Sequence, residues 1–86
     1  MEIKYLPDAG DDLAYWIKTN NKTIIKKISD IIRDIIKSPY KGLGKPEPLK
    51  FQFSGLWSRR ITKEHRLIYE ISHNTIIIHS MRGHYQ

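Results

Sequence analysis

The chain has 86 residues, 40% hydrophobic and 10% aromatic, and 15 Lys and Arg against 9 Asp and Glu leave a formal charge of +6. That is material for one basic domain over residues 1–86, with a modest core and little stability in reserve, and it excludes a large multidomain enzyme. The lack of cysteine excludes disulfides, iron–sulfur clusters, cysteine zinc sites and thiol nucleophiles. No run approaches the ~18 apolar residues of a membrane span and MEIKYLPDAGDD lacks a signal-peptide layout, so the expected location is the cytoplasm.

MEIKYL alternates as a half-buried strand does, and Pro7-Asp8 ends it. A helix is predicted next, with Asp8 as N-cap, Asp11 and Asp12 in the first turn, and Ala9, Leu13, Trp16 and Ile17 on one face. Thr19-Asn20-Asn21 breaks that pattern and can cap a second helix from about Lys22 to Lys37. Its isoleucines, from Ile24 and Ile25 to Ile35 and Ile36, recur at core-facing helical spacing. Residues 41–48 (KGLGKPEP) form a turn-rich connector; they carry no complete phosphate-loop motif.

Three strands are predicted after it: Leu56 to Thr62, His65 to Ile71 and Thr75 to Arg82, joined by short polar links as an antiparallel meander, with a further strand starting near Leu49-Lys50-Phe51. Side chains alternate along a strand and paired residues share a face. In the absence of a bulge, Trp57 and Ile61 fall with Leu67, Tyr69 and Ile71 on a helix-covered face. Ser58, Arg60, Arg66, Glu70, Ser80, Arg82 and His84 fall on the other, together with Ile68, Ile76 and Ile78.

The basic balance suits a polyanionic partner. Residues 45–86 hold seven Lys and Arg against three Asp and Glu, with all four histidines. RNA carries its own nucleophile, the 2'-hydroxyl, so its cleavage needs a base, cations for the charge on the phosphoryl oxygens, and an acid for the departing 5'-oxygen. Glu47, Arg66 with Arg60, and His84 supply those roles in that order. The same residues also have plainer readings: Glu47 as a solvated loop carboxylate, Arg60 and Arg66 as partners of Glu64 and Glu70, and His84 in a frayed terminus.

The stretches KPEPLK (45–50), SGLWSRRI (54–61), KEHRLIYEI (63–71) and the ending RGHYQ (82–86) resemble the YoeB (Txe/YoeB) toxins of the RelE/ParE superfamily. DDLAYWIKTNNKTIIKKI (11–28) shares the likeness, which runs in register along essentially the whole chain. The resemblance implies an α+β, RelE-like fold, with two N-terminal antiparallel helices packed on a small, mainly antiparallel twisted sheet. It also implies a bacterial type II toxin that enters the ribosomal A site and cuts mRNA there, with no cofactor and no metal. Carried over residue by residue, it makes Glu47, Arg66 and His84 catalytic and sets Arg60, Tyr85 and Lys50 against the substrate. A YefM-type antitoxin with a disordered acidic tail is the implied partner, and toxins of this group are often dimeric. Gln86 is a departure, since it follows the usual His-Tyr ending.

Three other functions compete. A toxin of the same fold can poison a target such as DNA gyrase without cutting RNA. A noncatalytic RNA- or ribosome-binding module would use Arg59, Arg60, Lys63 and Arg66 for phosphates and Trp57 or Tyr69 for stacking. A metal site would draw on His65, His73, His79 and His84, whose spacings fit no standard ligand motif.

Overall fold

The computed structural model describes residues 1–83. Strand β1 (Glu2–Tyr5) leads into helices α1 (Pro7–Lys18) and α2 (Lys22–Lys37). A connector then runs to β2 (Glu47–Pro48), a 3₁₀ turn (Phe51–Phe53), β3 (Trp57–Arg60), β4 (Arg66–Ser72) and β5 (Thr75–Ser80). The strands form one mixed sheet in the order β1-β5-β4-β3-β2, in which β1 runs parallel to β5 and the other neighbours are antiparallel.

The helix boundaries have local causes. Pro7 occupies the first helical position of α1, where its missing N–H costs nothing, and Leu6 rather than Asp8 is the N-cap. Asp8 is the acidic residue of the first turn. Asn20, in the left-handed region at φ 55°, ends α1, and the side chain of Asn21 begins α2 by accepting from the Ile24 N–H at 3.2 Å. On α2, Ile24, Ile28, Ile31, Ile32 and Ile35 are buried, each contributing about 1.5–3 kcal/mol of hydrophobic stabilisation. Ile17 and Ile36 lie outside the core, at 59% and 42% exposure, because each falls just off its helix's buried stripe.

The meander extends through β3, β4 and β5, but β1 joins it in parallel at the β5 edge. All four β1 residues are exposed, unlike the half-buried strand expected of MEIKYL. His73 and Asn74, at φ 49° and 61°, make the two-residue turn from β4 to β5; positive φ at both positions suits the right-handed twist of the flanking strands. Between Ile68 and Tyr69 the register against β5 slips: Ile68 pairs with Ser80 but Tyr69 pairs with Ile78. His79 is the extra residue, and its insertion turns Ile76 and Ile78 inward. Both are completely buried in the core with Leu67, Tyr69 and Met81, not on the opposite face that unbroken alternation gives. Ile68 keeps its expected side and is buried outside that cluster.

The strand expected near Leu49-Lys50-Phe51 lies slightly earlier, at Glu47–Pro48, and Phe51 begins the 3₁₀ turn at 85% exposure. Among the described residues no helix is long and apolar enough to cross a membrane.

Candidate active site

Arg59 sets the course of the connector that carries Glu47. Its β3 pairing with Leu67 turns it to the helix side, where its side chain is completely buried. There it bonds Asp34 at 2.5 Å, the carbonyls of Ser38 (2.6 Å), Lys41 (3.1 Å) and Leu43 (3.2 Å), and the Tyr69 hydroxyl (3.2 Å). Asp34 also accepts from the Leu43 N–H, and Tyr69 donates to the Pro39 carbonyl at 2.6 Å. The Leu43 amide, then the Arg59 guanidinium, hold the Asp34 carboxyl below its ordinary value of 3.8, and burial pushes the Tyr69 hydroxyl above 10.0. Residues 38–43 are therefore fastened around one buried cation. Arg59 is accordingly unavailable to phosphates, and Tyr69, also fully buried, is unavailable for stacking on a base.

Beyond this anchor the connector lies along β3. The Gly44 carbonyl accepts from the Arg60 N–H at 2.6 Å, Glu47 pairs with Ser58, and the Leu49 N–H reaches the Leu56 carbonyl at 2.9 Å. Gly44 is required there: φ is 78° and a Cβ would stand 2.8 Å from the Arg60 carbonyl oxygen.

The pairing register then decides which side chains meet. Glu47, Ser58, Ile68 and Ser80 form one row across the sheet, and Arg60 opposite Arg66 forms the next row on the same face. Glu47, Arg60 and Arg66 thus share a surface, with Glu47 and Arg66 about 12 Å apart between Cα atoms from sheet spacings. Glu47 and Arg60 are exposed and Arg66 is half-buried. Two guanidinium groups directly opposite each other repel, yet among the described residues neither forms an ion pair. Glu70 stands 3.5 Å from His79 instead, and among the described residues the Arg66 side chain reaches only the carbonyls of Thr62, Lys63 and His65, all through Nη1. Among the described residues, two adjacent cations, Arg66 held by loop carbonyls and Arg60 exposed, are thus left without a counter-charge.

Lys50 is exposed beside the 3₁₀ turn. Arg82 lies past the end of β5, and its guanidinium sits 3.7 Å above the centre of the Tyr15 ring of α1, so the strand alternation does not extend to it. His84 and Tyr85 lie outside the described residues, but the chain leading to them is held at Gly83, whose carbonyl accepts from the Arg66 N–H at 2.8 Å. The three histidines among the described residues do not gather as a metal site: His73 is in the β4–β5 turn, His79 in the bulge and His65 against Trp16. The described residues hold no group of three or more potential metal ligands. Sequence reasoning missed Asp34 as the partner of Arg59 and the groups that bind residues 81–83. The burial of Arg59 itself was readable from its place between Trp57 and Ile61 on one strand face.

Comparison with known proteins bears on the whole chain. A family model described as the YoeB-like toxin of bacterial type II toxin-antitoxin systems matches residues 5–85. Toxin YoeB of Escherichia coli O6:H1 is 47% identical over 85 residues, covering 99% of this chain and 100% of the relative. A YoeB/ParE toxin from Agrobacterium tumefaciens superposes with a TM-score of 0.94 at 40% identity, over 99% of this chain and 100% of that one. Staphylococcus aureus YoeB has been solved in complex with YefM (TM-score 0.89, 41% identity) and as a dimer (0.90, 40%), each covering 99% of this chain and 98% of the other.

Proposed function

We propose that this chain, which belongs to the YoeB-like toxins of bacterial type II toxin–antitoxin systems, is an endoribonuclease that arrests translation by cutting mRNA in the ribosomal A site. The observation that carries the reading is the shared face of Glu47, Arg60 and Arg66, where a carboxylate stands near two opposed cations that have no carboxylate partner among the described residues. Their spacing leaves room for one ribose-phosphate unit.

Glu47 takes the 2'-hydroxyl proton, and the 2'-oxygen attacks the adjacent phosphorus. Arg66, assisted by Arg60, stabilises the charge that gathers on the non-bridging oxygens; its Nε and Nη2 have no partner among the described residues and can turn to the phosphate. His84 in its protonated form gives a proton to the 5'-oxygen as the bond from phosphorus to that oxygen breaks. The products are a 2',3'-cyclic phosphate and a 5'-hydroxyl, and none of these steps calls on a metal. Lys50 supplies long-range attraction to the RNA backbone and Tyr85 a ring for stacking.

The complex solved for the Staphylococcus aureus relative supports a YefM-type antitoxin as partner, for which the +6 charge suits an acidic segment. The dimer of that relative supports self-association of the free toxin.

Toeprinting on programmed ribosomes tests the proposal. The chain is expected to produce a cut at the A-site codon, and Glu47→Ala, Arg66→Ala and His84→Gln each to slow it by about 10²–10⁴-fold with antitoxin binding retained. Undiminished cleavage by Glu47→Ala/His84→Gln would show that the acid and base are wrongly assigned.

A further inference from the structure

The chain past β5 is fastened by groups that the proposed chemistry does not use. The Met81 N–H donates to Asp12 Oδ2 at 2.8 Å, and the Met81 carbonyl accepts from Trp16 Nε1 at 3.0 Å, so α1 holds the backbone where it leaves the sheet. Two residues on, the Gly83 N–H donates to Nδ1 of His65 at 2.9 Å, while its carbonyl accepts from the Arg66 N–H at 2.8 Å. Adjacent residues of the segment entering β4 thus grip both polar groups of Gly83, one with a ring nitrogen and one with the backbone that bears the Arg66 side chain.

The His65 ring is itself held. It stands edge-on to the Trp16 ring, with centroids 4.9 Å apart and planes at 77°, and its backbone N–H is tied to Thr62 Oγ1 at 3.1 Å. An amide N–H needs a lone pair, so Nδ1 is unprotonated and the ring proton is on Nε2. Trp16 therefore does two things at once: it fixes the Met81 carbonyl and sets the orientation of the imidazole that fixes Gly83.

We infer that His65 is a positioning residue, whose ring nitrogen sets Gly83, and with it the start of the segment that carries His84, against the backbone of Arg66. The inference rests on the reading of His84 as the general acid. The proton donor for the leaving group and the guanidinium for the phosphate come from different parts of the chain, and Gly83 is the point where those parts are joined. Misplacing a catalytic group by about 1 Å can cost about 10²-fold in rate, so a single bond at this junction bears on the chemical step without touching the RNA.

Two substitutions in the full chain test it. His65→Leu keeps an apolar group against Trp16 and removes the acceptor; His65→Asn offers a side-chain oxygen close to where Nδ1 stood. Amide hydrogen exchange at Gly83 is expected to accelerate about 3- to 10-fold in His65→Leu, the factor of one lost hydrogen bond. The kcat for ribosome-bound mRNA is expected to fall about 10-fold or more with KM little changed, and His65→Asn to recover both to within about threefold. Wild-type exchange at Gly83 in His65→Leu would overturn the inference. So would equal damage in His65→Asn and His65→Leu, which would make the role one of ring packing. His84→Gln, assayed alongside, separates the two readings. If it cleaves normally, the general-acid assignment is at fault. If it is inactive while His65→Leu keeps full kcat, the positioning role is at fault.

Discussion

Removing the Asp34 carboxylate should destabilise this protein far more than its half-buried position suggests, because the residue it serves has no access to water. Asp34 is 23% exposed, but Arg59 is completely buried and Asp34 is its sole carboxylate partner among the described residues. In Asp34→Ala the guanidinium keeps its carbonyl acceptors and loses its counter-charge. Breaking a buried pair from one side costs about 3–5 kcal/mol, and water reaching the vacated space places this case near the lower figure, about 3 kcal/mol. A domain of this size has roughly 4–13 kcal/mol in total. With about 4–8 °C of melting temperature per kcal/mol for small domains, the midpoint should fall by about 12–24 °C. Thermal unfolding followed by circular dichroism at neutral pH measures it, with Asp30→Ala as the comparison. Asp30 pairs with Lys26 and Arg33 on the solvated side of α2, and its loss should leave the midpoint nearly unmoved. A fall below about 4 °C for Asp34→Ala would refute the claim that this ion pair fastens the connector.

Two further expectations follow from the same connector. Gly44→Ala forces a side chain into a left-handed backbone and against the Arg60 peptide; a loss of about 1–3 kcal/mol in urea unfolding is expected, and a neutral result would show that the connector can move off β3. Because the Leu43 amide and Arg59 hold the Asp34 carboxyl below 3.8 in the folded chain, its contribution is complete above that value. It is lost as pH falls through the lower folded value. An acid titration of stability should therefore show a limb below 3.8 that Asp34→Asn removes.

The parts of the fold legible in the sequence were those set by neighbours a few residues apart. The isoleucine spacing and Asn21 marked α2 at its observed bounds, Lys22–Lys37, and turn residues separated β3, β4 and β5. Pro7 was readable as a strand stop, while its role as the first helical residue depended on the chain turning back at Leu6, whose N–H is taken by the Ile78 carbonyl. The bulge had no local signal: Ile76, Ile77 and Ile78 are identical side chains, and only packing against the helices selects the two that turn inward. The candidate site divides the same way. Arg60 and Arg66 fell on one face by strand parity, Glu47 came from the connector by its chemistry and family likeness, and the register brings all three to one surface. The same parity places Arg59 with Trp57 and Ile61, although the sequence alone kept it among the candidate phosphate contacts. Its partners, Asp34 and the carbonyls of residues 38, 41 and 43, are loop and helix groups that no periodicity connects to β3. The fastening of Gly83 by His65 is likewise a contact between segments 18 residues apart.

Replacing the nucleotide at the scissile position of a ribosome-bound mRNA with its 2'-deoxy counterpart leaves pairing and phosphate intact and removes one oxygen. If Glu47 acts on that hydroxyl, cleavage there should cease, while the unmodified message yields ends bearing a 2',3'-cyclic phosphate and a 5'-hydroxyl. Cutting of the deoxy-substituted message at the normal rate, or a 5'-phosphate on the product, would contradict the account.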